Sequence, residues 1–186
     1  MAISIVATVG SATANSFITE AEFIAYLATR LNVHTGATVS GSTCSETEKA
    51  AMIEATRDLN PVAWVAERTD GTQSLSWPRS GAPNPDSPDL DDTGDSGLPE
   101  FDDDVIPTRV KNATCELALQ YMKAGTTDLA APSATSGVIR KKVGPLETEY
   151  TDPAQRATGL ARFPRVYALI APLTNTSAGG LTLERS

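Results

Sequence analysis

VIPTRVKNATCELALQYMKAG, Val105–Gly125, is the stretch that decides the fold. Pro107 stands at a first-turn position, where its missing N–H matters least because the first amides of a helix lack intrahelical acceptors. Val110, Cys115, Leu117, Ala118, Tyr121 and Met122 recur at helical spacing, and Gly125 supplies the stop. The segment predicts a long helix with one strongly apolar stripe, which needs other helices to cover it.

Upstream, two partners announce themselves by their first turns. Thr19 with Glu22 and Ser45 with Glu48 are capping boxes, in which a hydroxyl accepts an early amide and a carboxylate reaches back. Phe23, Tyr26, Leu27 and Leu31 extend the first into a helix over Glu20–Val33. Met52, Ala55 and Leu59 form the apolar face of the second, with Pro61 ending it and Trp64-Val65 continuing as a short segment. Residues 1–18 alternate weakly and read as an extended arm. Thr69–Asp104, with its prolines, reads as loop.

Downstream, Val138–Lys142 and Leu146–Tyr150 read as two strands around Val143-Gly144-Pro145, with Leu146, Thr148 and Tyr150 on one face. Phe163–Leu173 makes a short last helix, and Thr174–Ser186 a tail whose Leu181-Thr182-Leu183 suits an edge strand. The expected fold is mainly α: one domain, 1–186, holding a small bundle of about four helices with a β-hairpin and extended N- and C-terminal arms. Its parts are the arm 1–18, the bundle 19–125 with an acidic loop 83–104, the hairpin 137–151, the short helix 163–173 and the arm 174–186. An isolated hairpin is marginal in water, so this one is expected to lie against its own bundle or another copy.

The net charge of −8 has a local origin. Nine acids and no bases lie between Asp86 and Asp104, and the remaining chain balances 14 acids against 15 bases. No apolar run approaches the ~18 residues of a membrane span, and nothing basic precedes the short apolar stretch Ile3–Val9 as in a signal peptide. A soluble, non-secreted protein is expected, with Cys44 and Cys115 as inert thiols and His34, the only histidine, near a helix end. There is no nucleophile elbow, phosphate-binding glycine loop or histidine pair, so neither an enzyme nor a cofactor is expected.

Three motifs have two readings each. In SWPRSG, Ser76–Gly81, Trp77 either plugs the bundle while Arg79 caps a helix, or Trp77, Pro78 and Arg79 form a contact with a partner. Asp89, Asp91, Thr93, Asp95 and Glu100 fall at the ligand spacings of a calcium loop, with Gly94 at the turn. Ser96 replaces the usual apolar residue, and Pro88 and Pro99 disrupt the flanks, so a solvated acidic loop competes with a weak cation site. Arg140-Lys141-Lys142 is the one basic triplet, suited to phosphate or to a salt-bridged interface.

The order ANSFITEAEFIAYL (Ala14–Leu27), SWPRSG, VIPTRVKNATCELAL (Val105–Leu119), VGPLETEY (Val143–Tyr150) and FPRVYALIAPL (Phe163–Leu173) resembles a family of small tailed-phage proteins described as head-tail adaptors or as DnaT-like single-stranded-DNA-binding proteins. The likeness spans most of the chain, and Pro83–Ser96 departs from it as a longer, more acidic turn. It implies a virion protein, assembled in the host cytoplasm, with about twelve copies in a ring between the portal and the downstream neck or tail protein. Double-stranded DNA would pass without sequence-specific contact, and no membrane is involved. Trp77, Pro78, Arg79, Arg140, Lys141, Lys142, Leu146, Tyr150, Leu181 and Leu183 are the expected partner interface. The alternatives are a replication accessory protein that binds single strands, or a stopper or tail-completion protein of the neck.

Overall fold

The computed structural model describes residues 2–30, 37, 38, 40–87, 99–125 and 159–175, and the backbone of 140–143 and 146–149. It is a mainly helical small domain. The helices are α1 (Glu20–Ala28), α2 (Glu46–Leu59), α3 (Thr108–Ala124) and α4 (Pro164–Ile170). Four short strands accompany them: β1 (Glu67–Arg68), β2 (Arg79–Ser80), β3 (Arg140–Val143) and β4 (Leu146–Glu149). No helix among the described residues is long and apolar enough to cross a membrane.

The decisive stretch forms the centre. In α3 the whole expected stripe is buried, and Ala113, Thr114, Glu116 and Leu119 are buried beside it. Burial on that many sides requires neighbours all round, and α1, α2 and α4 supply them. Gly125 ends the helix at φ 64°, a left-handed conformation that glycine adopts without a Cβ clash.

Both capping boxes form. The first helix nevertheless closes at Ala28, short of the expected Val33, because Thr29 turns both its N–H and its hydroxyl back on the Tyr26 carbonyl. The second ends at Leu59, where the Trp64 indole donates to the Leu59 carbonyl and closes the helix from outside.

The N-terminal arm differs from the expected extended reach. Asn15 accepts from the Val6 amide at 2.8 Å and donates to the Ser4 carbonyl at 2.9 Å, folding the segment into a doubled-back loop through Gly10. Ser74 fastens the loop by donating to the carbonyls of Ser11 and Ala14. Phe17 and Ile18 enter the core. The tail is likewise anchored further than its expected boundary. Val65 donates to Leu173, Asn175 donates to Ala63, and Trp64 bridges Thr174, so 173–175 run antiparallel to 63–65.

Within the predicted loop Thr69–Asp104 the two-residue ladder β1–β2 pairs Glu67 with Ser80 and Arg68 with Arg79. The β3–β4 hairpin is present, with Arg140 opposite Glu149, Lys141 opposite Thr148, Lys142 opposite Glu147 and Val143 opposite Leu146. Among the described elements, no helix packs along that ribbon.

Candidate functional site

Trp77, Pro78 and Arg79 come together at the turn leading into β2, but two of the three face inward. Trp77 is 1% exposed and meets Trp64 and Phe101 edge-on, at centroid distances of 5.7 and 6.2 Å. Pro78, after a cis peptide bond, is buried as well. The expectation that this pair contacts a partner is therefore corrected: the core uses the indole, which joins the end of α2 to the segment entering α3.

Arg79 acts on backbone. Its guanidinium donates to the carbonyls of Val65 (2.6 Å), Ser76 (3.0 Å) and Ala66. Burial, with Arg68 opposite, pulls its pKa down from the usual arginine range. Three carbonyl partners hold the 65–66 turn against the turn that carries Trp77. The sequence-based alternative of helix capping names the right kind of acceptor in the wrong place, since these carbonyls lie beyond α2.

Of the candidate cation ligands, Asp89, Asp91 and Asp95 lie outside the described residues. Glu100 sits at the foot of the acidic loop, in an isolated bridge with Pro83. Asn84 donates to Pro99 at 2.6 Å and Phe101 to Ala82 at 2.9 Å, so the loop leaves and re-enters the core through one short ladder. Above that stem Asp86 takes a two-pronged ion pair from Arg109, in the first turn of α3. The Arg109 guanidinium holds the Asp86 carboxyl below its ordinary range. Among the described residues no cluster of histidine, cysteine or carboxylate side chains has the makings of a metal site.

Arg140, Lys141, Lys142 and Leu146 lie on the two strands of the hairpin, in the register given above. Tyr150, Leu181 and Leu183 fall outside the described residues, as does His34. Cys44 and Cys115 are buried free thiols, and burial pushes both up to about 12. A thiol so far from ionising at neutral pH is a poor nucleophile, consistent with the inert role expected of them.

Two buried carboxylates were not legible as such. Glu48 is 1% exposed and receives the amides of Thr38 and Ser45 and both their hydroxyls, so the capping glutamate of α2 also holds the preceding loop. Burial raises its pKa, but those hydrogen bonds outweigh burial and hold it below the ordinary value. Glu116, 3% exposed on α3, accepts the Tyr26 hydroxyl at 2.7 Å and pairs with Arg30 and Arg165. It ties α1, α3 and the start of α4 into one knot. Its adjacency to the apolar stripe hinted at burial, but the partners are too distant in sequence to be read.

Three further described cations are also engaged by carboxylates: Lys49 with Glu20 and Glu46, Arg57 with Glu54, and Lys111 with Glu22. Among the described residues the exposed large apolar side chains are Val9, Val105 and Tyr167.

The fold defines a small helical domain with a β-ribbon and a stapled acidic loop. Over residues 1–186 the chain matches the family described as "Putative DnaT-like ssDNA binding protein", and it belongs to that family. No curated protein and no solved structure matches it.

Proposed function

We propose that this chain is an architectural protein of the tailed-phage neck, a head-tail adaptor whose copies assemble into a ring between the portal and the next neck component. The observation that carries this reading is the inward placement of both tryptophans. Single-strand binders present aromatic faces along a cationic groove. Here Trp64 and Trp77 are spent on the core, at 6% and 1% exposure, which takes both indoles out of reach of a base. The ribbon β3–β4, which among the described elements has no helix packed along it, is the element whose burial on a neighbour a ring would supply. An acidic loop suits a passage for DNA, because repulsion discourages sticking. A stopper or tail-completion protein would use the same surfaces, and binding to the portal separates the two.

The family's own description favours a second reading, a replication accessory protein that binds single-stranded DNA. On this chain it would rest on the Arg140–Lys142 strand and the half-exposed ring of Tyr167. Sedimentation of the purified chain with and without an oligonucleotide discriminates. The adaptor reading expects a closed oligomer, or assembly onto portal protein, with the oligonucleotide left free. A monomer that stays apart from portal and carries the oligonucleotide at low salt would replace it with the second reading.

A further inference from the structure

We infer that the two edges of the β3–β4 ribbon are complementary docking surfaces for successive copies of this chain, β3 of one copy adding to β4 of the next. The inference rests on the assembly reading above and gives it a surface and a direction. Among the described residues the sheet has two strands, so each has one edge with no strand beyond it. The two edges differ in sign. β3 reads Arg140-Lys141-Lys142-Val143, and β4 reads Leu146-Glu147-Thr148-Glu149. In the antiparallel register Arg140 and Lys142 share one face with Glu149 and Glu147, while Lys141, Val143, Leu146 and Thr148 share the other.

Three edge pairings are open to such a ribbon, and charge selects among them. Two copies meeting β3 to β3 would set cations opposite cations, and meeting β4 to β4 would set carboxylates opposite carboxylates. Like charges directly across a sheet are destabilising, so the two-fold symmetric contacts are disfavoured. Pairing β3 with a neighbour's β4 sets cation positions opposite carboxylate positions. The rotation that relates one copy to the next keeps successive β3 strands in a common direction, which makes each new β3–β4 contact antiparallel, like the one within the hairpin. A contact of this kind is head-to-tail and closes into a ring when the rotation permits. Lysine on an exposed edge commonly guards against pairing. Here it guards against the wrong partner and leaves the next copy's β4 admissible.

The test transposes the charges. A variant with Arg140→Glu, Lys142→Glu, Glu147→Lys and Glu149→Arg keeps the complementarity inside its own hairpin and leaves the net charge unchanged. Wild type and variant are each assembled, then dissociated, mixed and reassembled, with one isotope-labelled, and counted by native mass spectrometry. The expected result is self-sorting. Each chain assembles with itself, and contacts between the two kinds fall about tenfold or more below random mixing, because either order then sets like charges across the contact. Random mixing overturns the edge pairing while leaving assembly intact. A wild-type chain that stays monomeric, alone and with portal protein, removes both the assembly reading and this inference. Should the transposed variant not fold, chains carrying Lys141→Cys are assembled with chains carrying Thr148→Cys and treated with a short bifunctional maleimide. Cross-links between 141 and 148 of different chains are expected, and cross-links found only between like positions overturn the proposal.

Discussion

At the scale of single residues, the chain invests its strongest side chains in holding itself together. Trp77 is the clearest case. Its ring is buried among Trp64 and Phe101, and its indole N–H has no hydrogen-bond partner among the described residues. Trp77→Ala is expected to lower the unfolding free energy by about 3–5 kcal/mol in urea titration, the range for deleting a large core aromatic. Trp77→Phe should lose less than half of that, since it keeps most of the ring contact and removes a buried donor without an acceptor. Equal losses for the two variants would place the indole N–H in a bond of consequence. The dual reading of SWPRSG shows why this was only half legible. An aromatic, a proline and a cation in succession describe a rigid turn, but which side of that turn faces the core depends on Trp64 and Phe101, which lie on other segments.

Glu48 gives a residue-scale prediction in pH. Its folded pKa lies below the unfolded value near 4.5, so its contribution is fully present above about pH 4.5 and is lost as pH falls through the folded value. Glu48→Gln should therefore be less stable than wild type at neutral pH, and the gap should narrow as pH drops below that of the unfolded carboxyl. Thermal unfolding across an acid series measures it. A gap that widens on acidification would contradict the assignment of Thr38 and Ser45 as donors to a charged carboxylate.

At the scale of elements, what was readable is what is local. The two capping boxes are each written within four residues, and both form, because the groups that satisfy one another are neighbours in the chain. Removing the caps should not cost the same. Thr19→Ala is expected to destabilise by about 1 kcal/mol, as at an ordinary N-cap. Ser45→Ala should cost more, because the hydroxyl it deletes also solvates the buried Glu48. Equilibrium denaturation of the two variants compares them directly, and equal costs would mean that Glu48 finds another donor. The fastening of the N-terminal segment is the opposite case. Its weak alternation suggests an arm, whereas its fastenings are Asn15 on Val6 and Ser4, and Ser74 on Ser11 and Ala14. Such side-chain-to-backbone bonds leave no periodicity to detect. The stem of the acidic loop, built from Ala82–Asn84 against Pro99–Phe101, is equally silent in sequence.

At the scale of the whole molecule, charge and burial divide the labour. The bundle is self-sufficient: its helices cover α3, its N-terminal segment folds back, and 173–175 pair with 63–65. Trp77 is thereby spent on the core, and the N-terminal segment on a loop that its own Asn15 closes. The central claim is that the chain works by assembling with copies of itself, with nucleic acid passing and not held. Sedimentation velocity of the full chain with a labelled single-stranded oligonucleotide at low salt tests it most directly. The account predicts a fast-sedimenting, closed oligomer, free or upon portal protein, with the label remaining at the speed of free oligonucleotide. A slow monomer, indifferent to portal protein and carrying the label with it, would contradict the account.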